Sequence, residues 1–123
     1  MRQQLLARGV DSLNEEETQV LARCSHDLSV SLVALGQREE ALGASREAVE
    51  LNRDLALNRP DTFRPDLAMS LNNLGSDLSG LERRAEAVAA IREAVALLLP
   101  FFKRLPTAFA NQMGNHLGNY LKL

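Results

Sequence analysis

The 123-residue sequence predicts an all-α fold made of repeated helix pairs. Leucine and alanine, which are strong helix formers, together supply 39 residues, and no segment alternates apolar and polar residues as a half-buried strand does. In addition, the chain repeats itself with an offset of 46 residues, because 18 of the 58 positions that align 20–77 with 66–123 are identical. These observations indicate a helical repeat protein.

The 46-residue offset aligns rare residues as well as common ones. It places Pro60 on Pro106 and Phe63 on Phe109, and it superimposes two copies of the run Arg-Glu-Ala-Val. A composition rich in leucine and alanine does not produce all of these matches in one register by chance. The predicted units are an N-terminal extension or capping helix at 1–14 and a repeat domain at 15–123, with repeats at about 16–61 and 62–107 and a partial repeat at 108–121.

The first repeat predicts two helices. The first helix spans about 16–35, with apolar residues three or four positions apart, and Gly36 followed by Gln37 ends it. The second helix spans about 38–58.

Prolines are expected to interrupt the chain after each helix pair. Pro60 and Pro65 are predicted to bracket a loop, and Pro65 is predicted to open the third helix, because proline is favoured at the first helical position and disfavoured further in. This third helix is expected to end at Gly80. The fourth helix spans about 82–99 or a little beyond, and Pro100 near its end is expected to kink or stop it. A fifth helix spans about 108–121.

Antiparallel helices approach closely only where their side chains are small. Small residues recur at equivalent positions of the two repeats, and a larger side chain there is expected to push the helices apart. These residues are Ser29, Ala41, Ala48, Gly75, Ala87 and Ala94.

The composition argues against several classes of partner. Lys plus Arg total 14 and Asp plus Glu total 16, so the net charge of -2 does not favour nucleic-acid binding through phosphates. The single cysteine can form neither an internal disulfide nor a cysteine-based zinc site. No apolar run is long enough for a membrane span or a signal peptide, and we therefore expect a cytoplasmic protein with no membrane partner.

No residues are spaced for catalysis. The sequence has no glycine-rich phosphate loop, nucleophile elbow or His-Glu metal pair. His26 and His116 are 90 residues apart, and Cys24 lies on an apolar stripe where a free cysteine behaves as a small hydrophobe. We expect no catalytic residue, no bound metal, no cofactor and no enzymatic activity.

The most apolar stretch of the chain is 97–102, whereas its counterpart at 51–56 is half polar. The fourth helix is therefore apolar on more than one face, and either the last helix or another chain is expected to cover it. Leu98, Phe101 and Phe102 are the candidate residues for self-association.

The second repeat resembles the tetratricopeptide repeat family. It supplies the family's large and small residues in the family's spacing: Leu71, Leu74, Gly75, Leu78, Ala87, Ile91 and Ala94. Its run Leu-Asn-Asn-Leu-Gly and the long period are similar to repeats of the kinesin-light-chain type. The first repeat departs from the pattern, with serine at 25, 29 and 45.

The resemblance implies a short right-handed α-solenoid in which the first helices of the repeats line a concave groove. In the family, asparagine beside the Leu-Gly pair can hold the backbone of a bound peptide, because an amide both donates and accepts hydrogen bonds. The resemblance, carried over by register and by the family's asparagine, implies the following groove residues: Arg23, His26, Val30, Val33, Met69, Asn72, Asn73, Ser76, Ser79, Asn115 and Asn119.

The expected function is therefore a non-enzymatic interaction module that binds a protein or peptide segment in this groove. The alternative is a structural or oligomerisation unit, or a fragment of a larger signalling protein, that forms a homo-oligomer through its apolar C-terminal helices.

Overall fold

The computed structural model describes residues 13–122, which form five α-helices. These are α1 (Glu15–Ala34), α2 (Arg38–Asn58), α3 (Pro60–Gly80), α4 (Arg84–Arg104) and α5 (Pro106–Leu121). Each helix packs against the next one along the chain, and the short connections make neighbours antiparallel. The predicted all-α repeat architecture is confirmed, while nearly all of the predicted N-terminal extension lies outside the described residues.

The 46-residue period holds for the helix boundaries. α2 and α4 begin and end 46 positions apart, and α3 and α5 begin 46 positions apart. The structure therefore contains two full helix pairs, α1–α2 and α3–α4, followed by α5, which is the first helix of a third pair.

The start of α1 is fixed by a capping box. The Glu17 backbone N–H donates to Asn14 Oδ1 at 2.8 Å, and the Asn14 N–H donates to Glu17 Oε1 at 3.3 Å. These bonds satisfy two backbone donors at the open end of the helix.

The ends of α1 and α3 have the same backbone geometry but different residues. Gly36 and Glu82 both have a positive φ, at 78° and 63°. In each case the next residue, Gln37 or Arg83, donates its N–H to a carbonyl five residues earlier, which is the Schellman arrangement. Glycine adopts this conformation without steric cost, but Glu82 does not.

The predicted loop between Pro60 and Pro65 is wrong, because α3 begins at Pro60 and continues through Pro65. Pro60 occupies the first helical position, and Phe63, which is buried, donates its N–H to the Arg59 carbonyl. Pro65 removes only the bond to the carbonyl of Asp61, which lies at the exposed start of the helix.

Of the two expectations for Pro100, a kink or a stop, the stop does not occur, because α4 runs on to Arg104, a little beyond Leu99. The carbonyl that loses its donor belongs to Ala96, an exposed residue whose backbone water can reach. Leu98 and Phe101 are buried on either side of the proline and hold the last turns against the core. Burial here outweighs the loss of one helical hydrogen bond.

The core has a large part and a small part. The large cluster draws buried residues from α2, α3, α4 and α5, including Phe63, Leu71, Leu98 and Met113. The small cluster joins α1 to α2 and contains Leu21, Ala22 and Leu51. Among the described residues, α1 is therefore held by less apolar contact than the middle of the array.

The small residues predicted at the helix contacts are all buried. The closest approach is between Gly75 on α3 and Ile91 on α4, where a Cβ on Gly75 would lie 2.8 Å from the Ile91 Cδ1 atom. The equivalent pair in the first repeat is Ser29 and Ser45, both fully buried. The same helix contact is therefore filled by a serine–serine pair in the first repeat and by a glycine–isoleucine pair in the second.

Candidate functional site on the first-helix face

The first helices of the pairs, α1, α3 and α5, share one side of the array, which we call the first-helix face. α3 contacts α5 directly, and side chains of α1 and α3 meet in a pocket and in a hydrogen-bonded cluster. Most of the predicted groove residues lie here with accessible side chains: Arg23, His26, Val30, Val33, Met69, Asn72, Ser76, Asn115 and Asn119. The side chains of Val30 and Met69 are 51% and 46% exposed, which is high for apolar residues inside a helix.

A pocket of about 100 Å³ lies between α1 and α3. It brings the predicted residues Arg23, His26 and Met69 together with residues that were not predicted, namely Gln19, Ala22, Asn52, Asp66 and Ser70. Burial raises the pKa of the Asp66 carboxyl group, and the charge of Arg23 lowers it in part.

A row of amide and hydroxyl groups follows further along the face. Asn119 Nδ2 on α5 donates to Asn72 Oδ1 at 3.1 Å and to Ser76 Oγ at 3.3 Å, both on α3. The structure therefore brings three of the predicted groove residues into one cluster. Within residues 13–122, the N–H groups of the Asn72 amide donate to no side chain or carbonyl, so this cluster retains hydrogen-bond donors.

Comparison with known families agrees with this geometry. The tetratricopeptide repeat sequence model matches residues 21–56 and 67–98, which is more than half of the chain and lies within the two helix pairs. The chain belongs to the tetratricopeptide repeat family. No curated protein and no solved structure matches it significantly.

One predicted groove residue of this tetratricopeptide repeat protein faces inward. Asn73 Nδ2 donates to Ser29 Oγ at 3.0 Å and to Ser45 Oγ at 3.1 Å, so both of its amide hydrogens are used within the protein. The helical step of 100° between Asn72 and Asn73 turns the second amide from the groove into the contact between repeats. The prediction that Asn73 belongs to the ligand-binding surface is therefore not supported.

The hydrogen bonds around Asn73 form a chain that joins three helices. The Ser29 hydroxyl on α1 donates a hydrogen bond to the His26 carbonyl at 2.7 Å, and the Ser45 hydroxyl on α2 donates to the Asp77 carboxylate on α3. Burial raises the pKa of Asp77, while the hydrogen bond from Ser45 and the charges of Arg38 and His26 lower it in part. We call Ser29, Ser45, Asn73 and Asp77 the inter-repeat cluster, because it ties the first tetratricopeptide repeat to the second.

The residues proposed for self-association lie in the wrong place for that role. Leu98 is 0% exposed and Phe101 is 6% exposed, and both belong to the large core cluster. The Phe101 ring packs at 5.8 Å from the Phe109 ring of α5, and Phe102 is partly buried against the same core. The last helix of the chain covers this apolar stretch, so Leu98 and Phe101 form no exposed surface for a second copy.

The opposite side of the array carries a larger cleft, of about 660 Å³, between the second helices α2 and α4. Ion pairs bridge it: Arg46 to Glu86 at 3.3 Å and Arg53 to Glu93 at 2.7 Å. All four side chains are well exposed, so solvent screens both pairs and they add little to stability. The cleft carries equal numbers of arginine and glutamate side chains over a leucine floor, and it does not favour a charged ligand.

His116 on α5 is buried without a hydrogen-bond partner. The residue is 1% exposed, and neither ring nitrogen has a partner within the described part of the chain. Burial lowers the pKa of this imidazole. Cys24 is a partly buried free thiol, and residues 13–122 contain no group of His, Cys, Asp and Glu that could hold a metal ion. None of the described helices is both long and apolar enough to cross a membrane.

The sequence analysis did not identify two acidic residues of this region, Asp66 and Asp77. The 46-residue register contained a signal for Asp66, because the equivalent residues Val20 and Gln112 are uncharged. For Asp77 the signal was the replacement of the pair Gly75 and Ile91 by two serines in the first repeat, which leaves two buried hydroxyl groups in need of partners.

Proposed function

We propose that this tetratricopeptide repeat chain is a non-enzymatic interaction module that binds a peptide or protein segment along the first-helix face. Tetratricopeptide repeats are generally protein-interaction modules, and the chain belongs to that family. The observation that carries the proposal is the combination, on one face, of exposed apolar side chains with polar groups. Val30 and Met69 offer apolar contact, and Asn72, Ser76 and Asn119 offer hydrogen bonds.

The two kinds of group have different roles in binding an extended segment. An amide or hydroxyl pairs with any peptide unit, because the backbone has the same donor and acceptor at each residue. Exposed apolar side chains supply most of the favourable free energy when a partner removes them from water. We assign backbone contacts to Asn72 and Asn115 and apolar contacts to Met69 and Val30. Arg23, His26, Val33, Ser76 and Asn119 complete the proposed surface. The single free cysteine suits the reducing cytoplasm, which is the location that we propose.

The test compares partner capture from the native lysate by the wild-type chain and by a Met69→Ser/Asn72→Ala variant. The matched control is Leu99→Ser, which also shortens an exposed apolar side chain. Leu99 on α4 is equivalent in the 46-residue register to Arg53 on α2, which lines the cleft on the side opposite the first-helix face. The control substitution therefore lies away from the proposed binding surface. We expect a protein that wild type and control retain and that the variant loses. Equal capture by all three chains, each with an unchanged helical circular dichroism spectrum, would contradict the proposal.

Asn73 is excluded from this test on purpose. Changing it removes hydrogen bonds between the repeats, so a loss of binding would report on stability and not on the face itself. Asn72 has an accessible side chain, and within residues 13–122 that side chain takes part in a single hydrogen bond, accepted from Asn119. It is the better probe of the two adjacent amides.

A further inference from the structure

The pocket between α1 and α3 contains a carboxylate without a close counter-ion. Asp66 is partly buried, and within residues 13–122 it accepts no hydrogen bond and no ion-pair nitrogen lies within 4.0 Å of it. Arg23 acts on it only over a longer distance. A carboxylate that loses water without gaining a partner carries a free-energy cost, which a ligand cation can offset.

The stacking of the repeats does not require this charge. The equivalent position is Val20 on α1 and Gln112 on α5, and Gln112 donates instead to the Pro65 carbonyl at 3.0 Å. Helices of this array therefore pack at the same register with an apolar or a neutral polar residue. The acid at position 66 is specific to the pocket.

The rest of the pocket suits the long side chain of a basic residue. Ala22 and the exposed part of Met69 offer apolar contact to its aliphatic stem, and the amide oxygens of Gln19 and Asn52 can accept hydrogen bonds from its charged end. The volume of about 100 Å³ has room for one side chain and not for a folded segment.

The charge of the surrounding helix favours the same class of ligand. α1 carries four acidic side chains against the single basic side chain of Arg23, and Arg59 compensates one of the four, Glu15, at 2.6 Å. The other three are Glu16, Glu17 and Asp27. Such an imbalance attracts a cation over a longer range than direct contact. Arg23 opposes this at short range, but a ligand cation that reaches hydrogen-bond distance of Asp66 interacts more strongly than an arginine further away.

We infer that this pocket binds a lysine or arginine side chain of the partner segment, with Asp66 as its counter-ion. The inference rests on the proposed function, since it assigns one residue of the bound segment to one pocket of the first-helix face. It identifies the partner by chemistry, as a segment with a basic side chain next to residues that contact Met69.

The test uses a positional-scanning library of hexapeptides with blocked termini, so that only side chains carry charge. The full chain is immobilised, and retained peptides are quantified by mass spectrometry. We expect lysine or arginine at one position to raise retention roughly tenfold over glutamine. Asp66→Asn should remove this preference, while Asp61→Asn, an exposed acid in the first turn of the same helix, should preserve it. Arg23→Gln should strengthen it.

The outcomes separate this inference from the proposed function. Peptides retained with no basic preference, or with an acidic one, would overturn the inference alone. Retention of the preference in Asp66→Asn would overturn the role of Asp66. Retention of no peptide by the wild-type chain would overturn both. Asp66→Glu, which keeps the charge, should retain the preference. An unchanged helical circular dichroism spectrum of Asp66→Asn, together with continued retention of peptides without the basic preference, excludes misfolding as the cause of the loss.

Discussion

Gly75 shows how much of the contact between α3 and α4 depends on one missing methyl group. Ile91 from α4 occupies the space where the Cβ atom of any other residue would lie, and the Ala87 carbonyl lies 3.3 Å from the same point. The backbone on one side cannot move without shifting a helix, so a substitution must displace the isoleucine from its place in the core.

We predict that Gly75→Ala lowers the free energy of unfolding by about 1–3 kcal/mol, because it overpacks this contact. Urea unfolding followed by circular dichroism measures the change. The matched control is Gly43→Ala in α2, where a Cβ meets nothing within 4 Å, and this variant should be neutral or more stable by up to about 1 kcal/mol. The cost of Gly75→Ala should shrink in an Ile91→Ala background. An equal cost in both backgrounds would show that the clash is not with Ile91.

We predict that His116 makes the fold sensitive to mild acid. Its pKa is lowered by burial, so its contribution to stability is complete above the ordinary value of about 6.5 and is lost as the pH falls toward its folded-state pKa. His116→Met should raise stability at pH 7 by about 1 kcal/mol, since it removes two unpartnered buried nitrogens, and by more at pH 5.5.

The measurement for His116 is the difference in urea midpoint between wild type and variant at several pH values. Asp66 and Asp77 act with the opposite sign: their pKa values are raised, so their contributions are lost as the pH rises above about 3.9. Both chains share these acids, so they cancel in the difference. His26→Gln serves as the control, and a difference for His116→Met that does not grow toward pH 5.5 would contradict the role of His116.

The helices themselves followed from the sequence wherever the 46-residue register applied. The spans of α1 and α2 agree with the predicted ones to within a residue, because both have regular apolar spacing and Gly36 marks the break between them. The helix boundary near Pro65 was predicted wrongly and the stop at Pro100 does not occur, because the rule against proline inside a helix considers only the local backbone. The burial of Phe63, Leu98 and Phe101, which holds those turns, depends on helices distant in the sequence.

The candidate site was predicted less completely than the helices. The 46-residue register predicted the first-helix face and most of its residues. It did not predict which of the adjacent amides, Asn72 or Asn73, points outward. The direction of Asn73 depends on the serines of another repeat, and the counter-ion environment of Asp66 depends on three helices. Such contacts are set by packing angles that spacing alone does not contain.

At the end of α3, Glu82 has a conformation that favours glycine, with a φ of 63°. We predict that Glu82→Gly raises the free energy of unfolding by about 0.5–1 kcal/mol, since relief of the left-handed strain exceeds the extra entropy of glycine in the unfolded chain. Thermal or urea unfolding measures it. Gly36→Ala at the equivalent turn should cost a similar amount, and a loss of stability in Glu82→Gly would show that the side chain has a role that outweighs its backbone strain.

For the whole molecule, the uneven core implies that the array does not open uniformly. Within residues 13–122 both end helices have less support than the middle of the array. α1 is attached through the small apolar cluster and the inter-repeat cluster, and α5 buries only Met113 and His116, whereas α3 and α4 lie in the large core. In repeat proteins each unit depends on its neighbours for stability, so the least supported end opens first.

We predict that Asn73→Ala weakens amide hydrogen-exchange protection in α1 about tenfold, with a smaller effect in α4. The reason is the loss of two hydrogen bonds to buried serines, which corresponds to about 1–3 kcal/mol. Mass spectrometry of peptic fragments measures it, with Asn72→Ala as the neighbouring control. Equal loss of protection along the whole chain would indicate that the array opens as one unit.

The serine and glycine–isoleucine pairs also restrict how such an array could lengthen. Asn73 donates to two serine hydroxyls. The residues equivalent to those serines one repeat later are Gly75 and Ile91, which have no hydroxyl group, and the counterpart Asn119 donates to Asn72 and Ser76 instead. The two repeats therefore cannot be exchanged or copied in tandem without mismatched partners at the new junction. A gene duplication that adds a repeat to this chain would have to change the junction residues together, so each position in the array has its own sequence requirement.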